Sequence, residues 1–194
     1  IKVIDINRVP SYPYRFGDWS DPGLLQIDPV DATTYAATHG SGVWKSTDGG
    51  RSWVPKSNGL IHLMVDVLRL DPADRNVLYA AKAAGAGSGT GDIYRSDDRA
   101  ESWQRVAETI QPLPPKTWFS DLDFSADGSL WLTSFTSKTN CGLLFRSQNK
   151  GVTWCTFSSE CGTDILPFPQ CPSGIDQIGG NDGVNVRAIP GTTE

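Results

Sequence analysis

Long hydrophobic runs are missing from this chain, and methionine occurs once. Without an apolar run near the ~18 residues of a helical span, no membrane-crossing helix is expected. Excess positive charge is missing too: the formal net charge is −5 and no basic stripe is found, which argues against a nucleic-acid partner. There is no Asn-x-Ser/Thr sequon, so N-glycosylation is not expected. Cysteine is absent until Cys141, after which Cys141, Cys155, Cys161 and Cys171 fall within 31 residues. Their spacing fits no C-x-x-C metal pattern, so no metal or cofactor is expected, and two disulfides in an oxidising compartment are. No charged-then-apolar leader precedes Ile1, which reads as a processed protein or a piece of a longer one.

What is abundant is turn chemistry. Twenty Gly and thirteen Pro in 194 residues, 38% of them apolar, suit many short strands better than long helices. The chain also repeats one phrase three times: Ser46-Thr47-Asp48-Gly49-Gly50-Arg51-Ser52-Trp53, then Ser96-Asp97-Asp98-Arg99-Ala100-Glu101-Ser102-Trp103, then Ser147-Gln148-Asn149-Lys150-Gly151-Val152-Thr153-Trp154. The leading serines are 50 and 51 residues apart, a period that signals a repeat architecture. Ser, Asp and Asn oxygens can accept from amides a few residues on, and Gly supplies a φ > 0 position. The Trp that opens the returning strand is large enough to anchor the turn. Trp53, Trp103 and Trp154 are therefore expected to be mostly buried at equivalent places.

The phrase resembles the Asp-box (BNR) repeat of sialidase-like β-propellers, over roughly residues 20–157. Aligning the copies exposes four strand-like runs per period, which predicts an all-β chain of four-stranded antiparallel blades. Three blades are clear, at residues 22–57, 64–107 and 119–157. Residues 1–21 read as a strand and loop of a preceding or closing blade, and residues 158–194 as an irregular, cysteine-pinned segment with a partial blade. Propellers close with ~4 to 8 blades, so remaining blades or another chain are expected to complete the ring, unless the ends supply a fourth blade. If the third phrase closes a hairpin between Arg146 and Thr153, Cys141 lies across from about Ser158. This favours the pairs Cys141–Cys161 and Cys155–Cys171 over Cys141–Cys155 and Cys161–Cys171.

In such a blade the repeated turns join the third strand to the fourth. They sit on the end opposite the loops that could build a pocket, which gives Asp48 and Asp98 structural roles alongside Ser46, Gly50, Ser96, Ser147, Asn149 and Gly151. The opposite end collects residues 10–22, 38–41, 55–63, 83–91, 108–120 and 134–141. Tyr12, Tyr14, Trp19 and Trp118 offer flat rings there on which a sugar could stack. In the xyloglucanase-like branch, the first blade carries Tyr-Ala-Arg-Thr-Asp-x-Gly-Gly-x-Tyr, whose Asp is a catalytic carboxylate. Here Tyr35-Ala36-Ala37-Thr38-His39-Gly40-Ser41-Gly42-Val43-Trp44 puts His39 in that place, and a paired-acid mechanism needs carboxyl groups. The sialidase Arg triad finds only Arg15, which lacks the family's following Ile-Pro; Arg69, Arg95 and Arg146 read as partners of turn carboxylates. No catalytic residue is carried over.

The leading expectation is a secreted, non-catalytic propeller module with a polysaccharide or protein partner, or a structural unit of an extracellular assembly. The alternatives are the N-terminal part of a xyloglucanase- or sialidase-like glycoside hydrolase, and a fragment of a sortilin-like receptor ectodomain.

Overall fold

A computed structural model describes residues 24–38, 40–82, 91–106, 117–136 and 141–156. These residues form twelve strands in three four-stranded sheets, each ordered as its strands follow in the chain. The first sheet holds β1 (Leu25–Ile27), β2 (Thr34–Thr38), β3 (Gly42–Ser46) and β4 (Val54–Pro55). The second holds β5 (Val67–Leu70), β6 (Leu78–Lys82), β7 (Asp92–Ser96) and β8 (Gln104–Arg105). The third holds β9 (Thr117–Phe124), β10 (Leu130–Thr136), β11 (Cys141–Ser147) and β12 (Cys155–Thr156). The expected all-β architecture of four-stranded antiparallel blades is what is found. Residues 1–21 and 158–194 lie outside the described residues, and so do Cys161 and Cys171, on which the expected cysteine pairing rests.

The chain divides into two compact units, one with the first two sheets and one with the third. In the first unit, all five residues of β2 are buried, as are Leu78 to Ala81 of β6. Strands covered on both faces read as continuous small and apolar runs, which is why Tyr35-Ala36-Ala37 and Leu78-Tyr79-Ala80-Ala81 do not alternate with polar residues. One core joins the two sheets: Tyr35, Ala37 and Val43 pack with Val65, Leu68, Leu78, Ala80, Tyr94, Ala100 and Trp103. In the second unit, Phe119, Leu122, Phe124, Leu130, Leu132, Leu144, Phe145 and Trp154 are buried.

The turns from first to second strand explain the Asp-Pro-x-Asp stretches. Asp28 accepts from the Val30 amide (2.9 Å) and Asp31 from the Thr33 amide (3.0 Å). Asp71 likewise accepts from Ala73 (2.8 Å). Asp127 does the same for Ser129 (2.9 Å) in the third sheet.

The third sheet departs from expectation in two ways. Its hairpin places Arg146 opposite Cys155, two residues later than a turn closing between Arg146 and Thr153, because the whole stretch from Gln148 to Trp154 is spent on the turn. And β9 begins at Thr117, so Trp118 lies in a strand opposite Phe135, not in a loop. The longer ladder is accommodated by a register shift between Thr133 and Ser134, beside which the Ser120 and Thr133 hydroxyls are 2.9 Å apart.

Candidate functional site

The three repeated turns share one wiring scheme. In the first, the Ser46 hydroxyl donates to Asp48 Oδ1 (2.8 Å) and accepts from the Gly50 amide (2.8 Å). Asp48 then accepts from the amides of Arg51 and Ser52 (both 2.9 Å) and from the Ser52 hydroxyl (2.6 Å). The second turn repeats this through Ser96, Asp98, Ala100 and Ser102. In the third, Asn149 keeps the acceptor role toward the Thr153 amide (2.8 Å) but donates from Nδ2 to the Thr153 hydroxyl (2.8 Å). A hydroxyl can accept as well as donate, so the Asp-to-Asn change reverses one bond and leaves the turn closed.

Each turn contains two successive left-handed residues, where the sequence pattern pointed to one. They are Gly49 and Gly50 (φ 74° and 85°), Arg99 and Ala100 (61° and 68°), and Lys150 and Gly151 (59° and 87°). A side chain in that region costs roughly 1–2 kcal/mol. Arg99 and Ala100 remain there because both are committed elsewhere: Ala100 is fully buried in the joint core, and Arg99 reaches across to the first sheet. It donates to Asp28 (3.0 Å), Asp31 (2.8 Å), Thr33 Oγ1 (3.1 Å) and the Tyr35 hydroxyl (3.3 Å). Arg75 joins it on the completely buried Asp28 (Nε, 2.9 Å) and pairs with Asp31. Glu101 of the same turn takes Lys45 (3.0 Å) and pairs with Lys56. These partners were not among the residues singled out from sequence. The signal that could have found them is the replacement of Gly-Gly-Arg by Arg-Ala-Glu in the second phrase.

The tryptophans are only partly equivalent. Trp103 and Trp154 are each 4% exposed, whereas Trp53 is half-buried between exposed Ser52 and Val54. The Trp53 and Trp154 indoles donate within their own turns, to Gly50 O and Gly151 O (both 3.1 Å). The Trp103 indole donates instead to Lys56 O (2.7 Å), and its amide to Asn58 O (2.8 Å).

The electrostatics follow the wiring. Asp48 is held well below the usual carboxylate range by the Ser52 hydroxyl and amide and by Ser46. Asp31 is held down by the Thr33 amide, with Arg99 adding to it. Asp127 is held down by the Ser125 hydroxyl and the Ser129 amide, and by Arg146, which binds it at 2.7 Å. Desolvation opposes the shift at Asp98, yet Ser102 and Ser96 bring it below its ordinary value. Glu101 is lowered by Lys56 and then Lys45. Burial pushes Tyr79 up to about 12. Carboxylates lowered on folding contribute stability that is complete above their unfolded pKa near 4 and is lost as pH falls through the folded values. A tyrosine raised on folding contributes below its unfolded pKa near 10, and that contribution is lost as pH rises toward the folded value. Thermal midpoints measured across pH should therefore be level from about 5 to 9 and fall at both extremes; a midpoint that rises on acidification below 4 would contradict the wiring.

At the opposite end of the first unit, the β2–β3 hairpin is tied to the segment that follows β4. Gly40 and Gly42 donate to Leu63 O (3.1 and 2.8 Å), Val65 donates to Thr38 O (3.2 Å), and Val43 donates to Ser57 Oγ (3.0 Å). Gly42 sits at φ 75°, where a Cβ would meet Ser57 Oγ at 2.1 Å. The β2–β3 hairpin is thus braced against the segment that carries exposed Ile61, His62 and Leu63. His39, Tyr12, Tyr14 and Trp19 lie outside the described residues, and of Trp118 only the strand position is described. No group of three or more metal-ligating side chains occurs among the described residues. Arg95 and Arg146 do pair with turn carboxylates, Asp97 and Asp127, while Arg69 donates to Leu68 O (3.0 Å).

No family's sequence model matches the chain. Among curated proteins it is 26% identical over 176 residues to a xyloglucanase of Paenibacillus sp., a match spanning 79% of this chain and 16% of that protein. Among solved structures it is similar to the GH74 xyloglucanase of Xanthomonas campestris, with TM-score 0.54, 19% identity, and 78% of this chain covering 23% of that one. It is also similar to the GH74 enzyme of Niastella koreensis, with TM-score 0.52, 20% identity, and 69% covering 20%. The chain spans less than a quarter of each of these proteins. With its four-stranded antiparallel sheets, the chain has the fold of β-propeller blades such as those of these glycoside hydrolases.

Proposed function

We propose that this chain is a segment of a longer, secreted, glycoside-hydrolase-like β-propeller, and that it holds a polysaccharide of the xyloglucan class at the end opposite its repeated turns. The similarity to a xyloglucanase carries the reading. The turns support the choice of end: the Asp48 and Asp98 carboxylates are occupied by hydroxyls and amides of their own turns, which leaves them a structural, Asp-box role. A disulfide at Cys155 is part of this reading and would suit an oxidising, extracellular compartment. Tyr12, Tyr14, Trp19, His39 and Trp118 are each proposed to contact the polymer.

The same reading makes the segment by itself a binder that does not cut. His39 occupies the place of a catalytic carboxylate, and the mechanism needs two carboxyl groups at ~5 to 9.5 Å across one bond. Incubated with xyloglucan, the chain should be retained on the polymer without releasing reducing ends, and sialosides should not compete. Absence of retention would overturn the binding reading. Turnover by the isolated chain that is lost on Asp66→Asn, a carboxylate at the loop end, would overturn the non-catalytic one.

A further inference from the structure

We propose that Asn58 is a site of spontaneous deamidation and isomerisation, placed where the modification loosens the joint between the first two sheets. Asn58-Gly59 is the single Asn-Gly step in the sequence. It forms the two central residues of an exposed turn closed by Leu60 N–H to Ser57 O (3.0 Å), with Gly59 at φ 95°. Among the described residues, neither the Asn58 side-chain amide nor the Gly59 N–H has a hydrogen-bond partner. The electrophile and the nucleophile of succinimide formation are therefore both uncommitted, and glycine leaves the nitrogen unshielded. The Gly59 nitrogen forms a bond to Asn58 Cγ, the Cγ–Nδ2 bond breaks, and Nδ2 leaves as ammonia carrying the proton from the Gly59 amide. Water then opens the ring at either carbonyl, giving aspartate or isoaspartate at position 58.

The two described Asp-Gly steps show what protects a site of the same backbone type. Asp48 is held by Ser46, Arg51 and Ser52, and Asp127 by Ser125, Ser129 and Arg146. Asn76 and Asn149 also spend their side chains within their own turns, on Asp74 and Thr153. Asn58 alone combines a free side chain with a following glycine, and its carbonyl is the acceptor for the Trp103 amide (2.8 Å). Gly59 is so close to the next sheet that a Cβ on it would meet Trp103 O at 2.1 Å. Isoaspartate inserts a methylene into the main chain at this point, so the Asn58 carbonyl can no longer hold its register against Trp103.

The test ages the whole chain in mildly alkaline buffer and follows it by peptide mapping, isoaspartyl-methyltransferase labelling and amide hydrogen exchange. Position 58 should be modified before any other described asparagine and before the Asp48 and Asp127 steps. Protection of the Trp103 amide should be lost with the same time course. Asn58→Gln should abolish both changes; Gly59→Ala is avoided because its clash with Trp103 O confounds folding with chemistry. Persistence of unmodified Asn58 while another described asparagine reacts would overturn the assignment of the site. Accumulation of isoaspartate at 58 with undiminished Trp103 protection would overturn its consequence for the joint.

Discussion

Replacing Trp103 by alanine destabilises the first unit by about 3–5 kcal/mol, the range for deleting a buried large aromatic. The indole is 4% exposed within a core shared by two sheets, so its removal opens a cavity that neither sheet can close alone. It also leaves Lys56 O, which accepts the indole N–H at 2.7 Å, without that donor. Trp53→Ala should cost clearly less, because Trp53 is only half-buried and its indole donates within its own turn. Urea unfolding of the two variants beside the parent reads the difference directly. Equal losses would mean that the turn itself, and not the insertion between sheets, sets the value of the tryptophan.

Asp28→Ala is expected to cost about 2–4 kcal/mol, since removing one partner from a buried ionic cluster strands the others. Asp28 is completely buried and takes both Arg75 and Arg99, and its other oxygen accepts the Val30 amide. The figure is set below the cost of breaking a wholly buried pair because both guanidinium groups keep contact with water and with Asp31. Asp31→Ala should do less damage, as its carboxylate is exposed and Asp28 remains to hold both arginines. Chemical unfolding at low and high salt measures the pair. A loss at Asp28 that vanishes in high salt would place the cluster among solvent-screened surface contacts, contrary to its burial.

The three turns were legible because their bonds are local. Ser46 to Asp48, Asp48 to Ser52 and Ser46 to Gly50 each close within four positions, so the residue types and their spacing nearly specify the conformation. The four strands of each sheet followed from the same repeat. The error at β9 arose because Thr117 to Phe119 pair with Ser134 to Thr136 beyond a register shift that skips Ser120, and nothing local in those residues marks a shift that depends on the partner strand.

The repeat, the turn wiring and the four-stranded sheets can be read from residue order, because each is encoded by side chains bonding their own backbone or by neighbouring strands joined through short turns. Which repeat does more than turn the chain depends on contacts between distant residues. Arg99 meets Asp28 from 71 positions away and Arg75 meets it from 47, and Trp103 finds Lys56 O; no local pattern links these residues. Their contacts exist only once two sheets have stacked, when burial removes the water that would otherwise satisfy each group and makes its partner across the joint the one available.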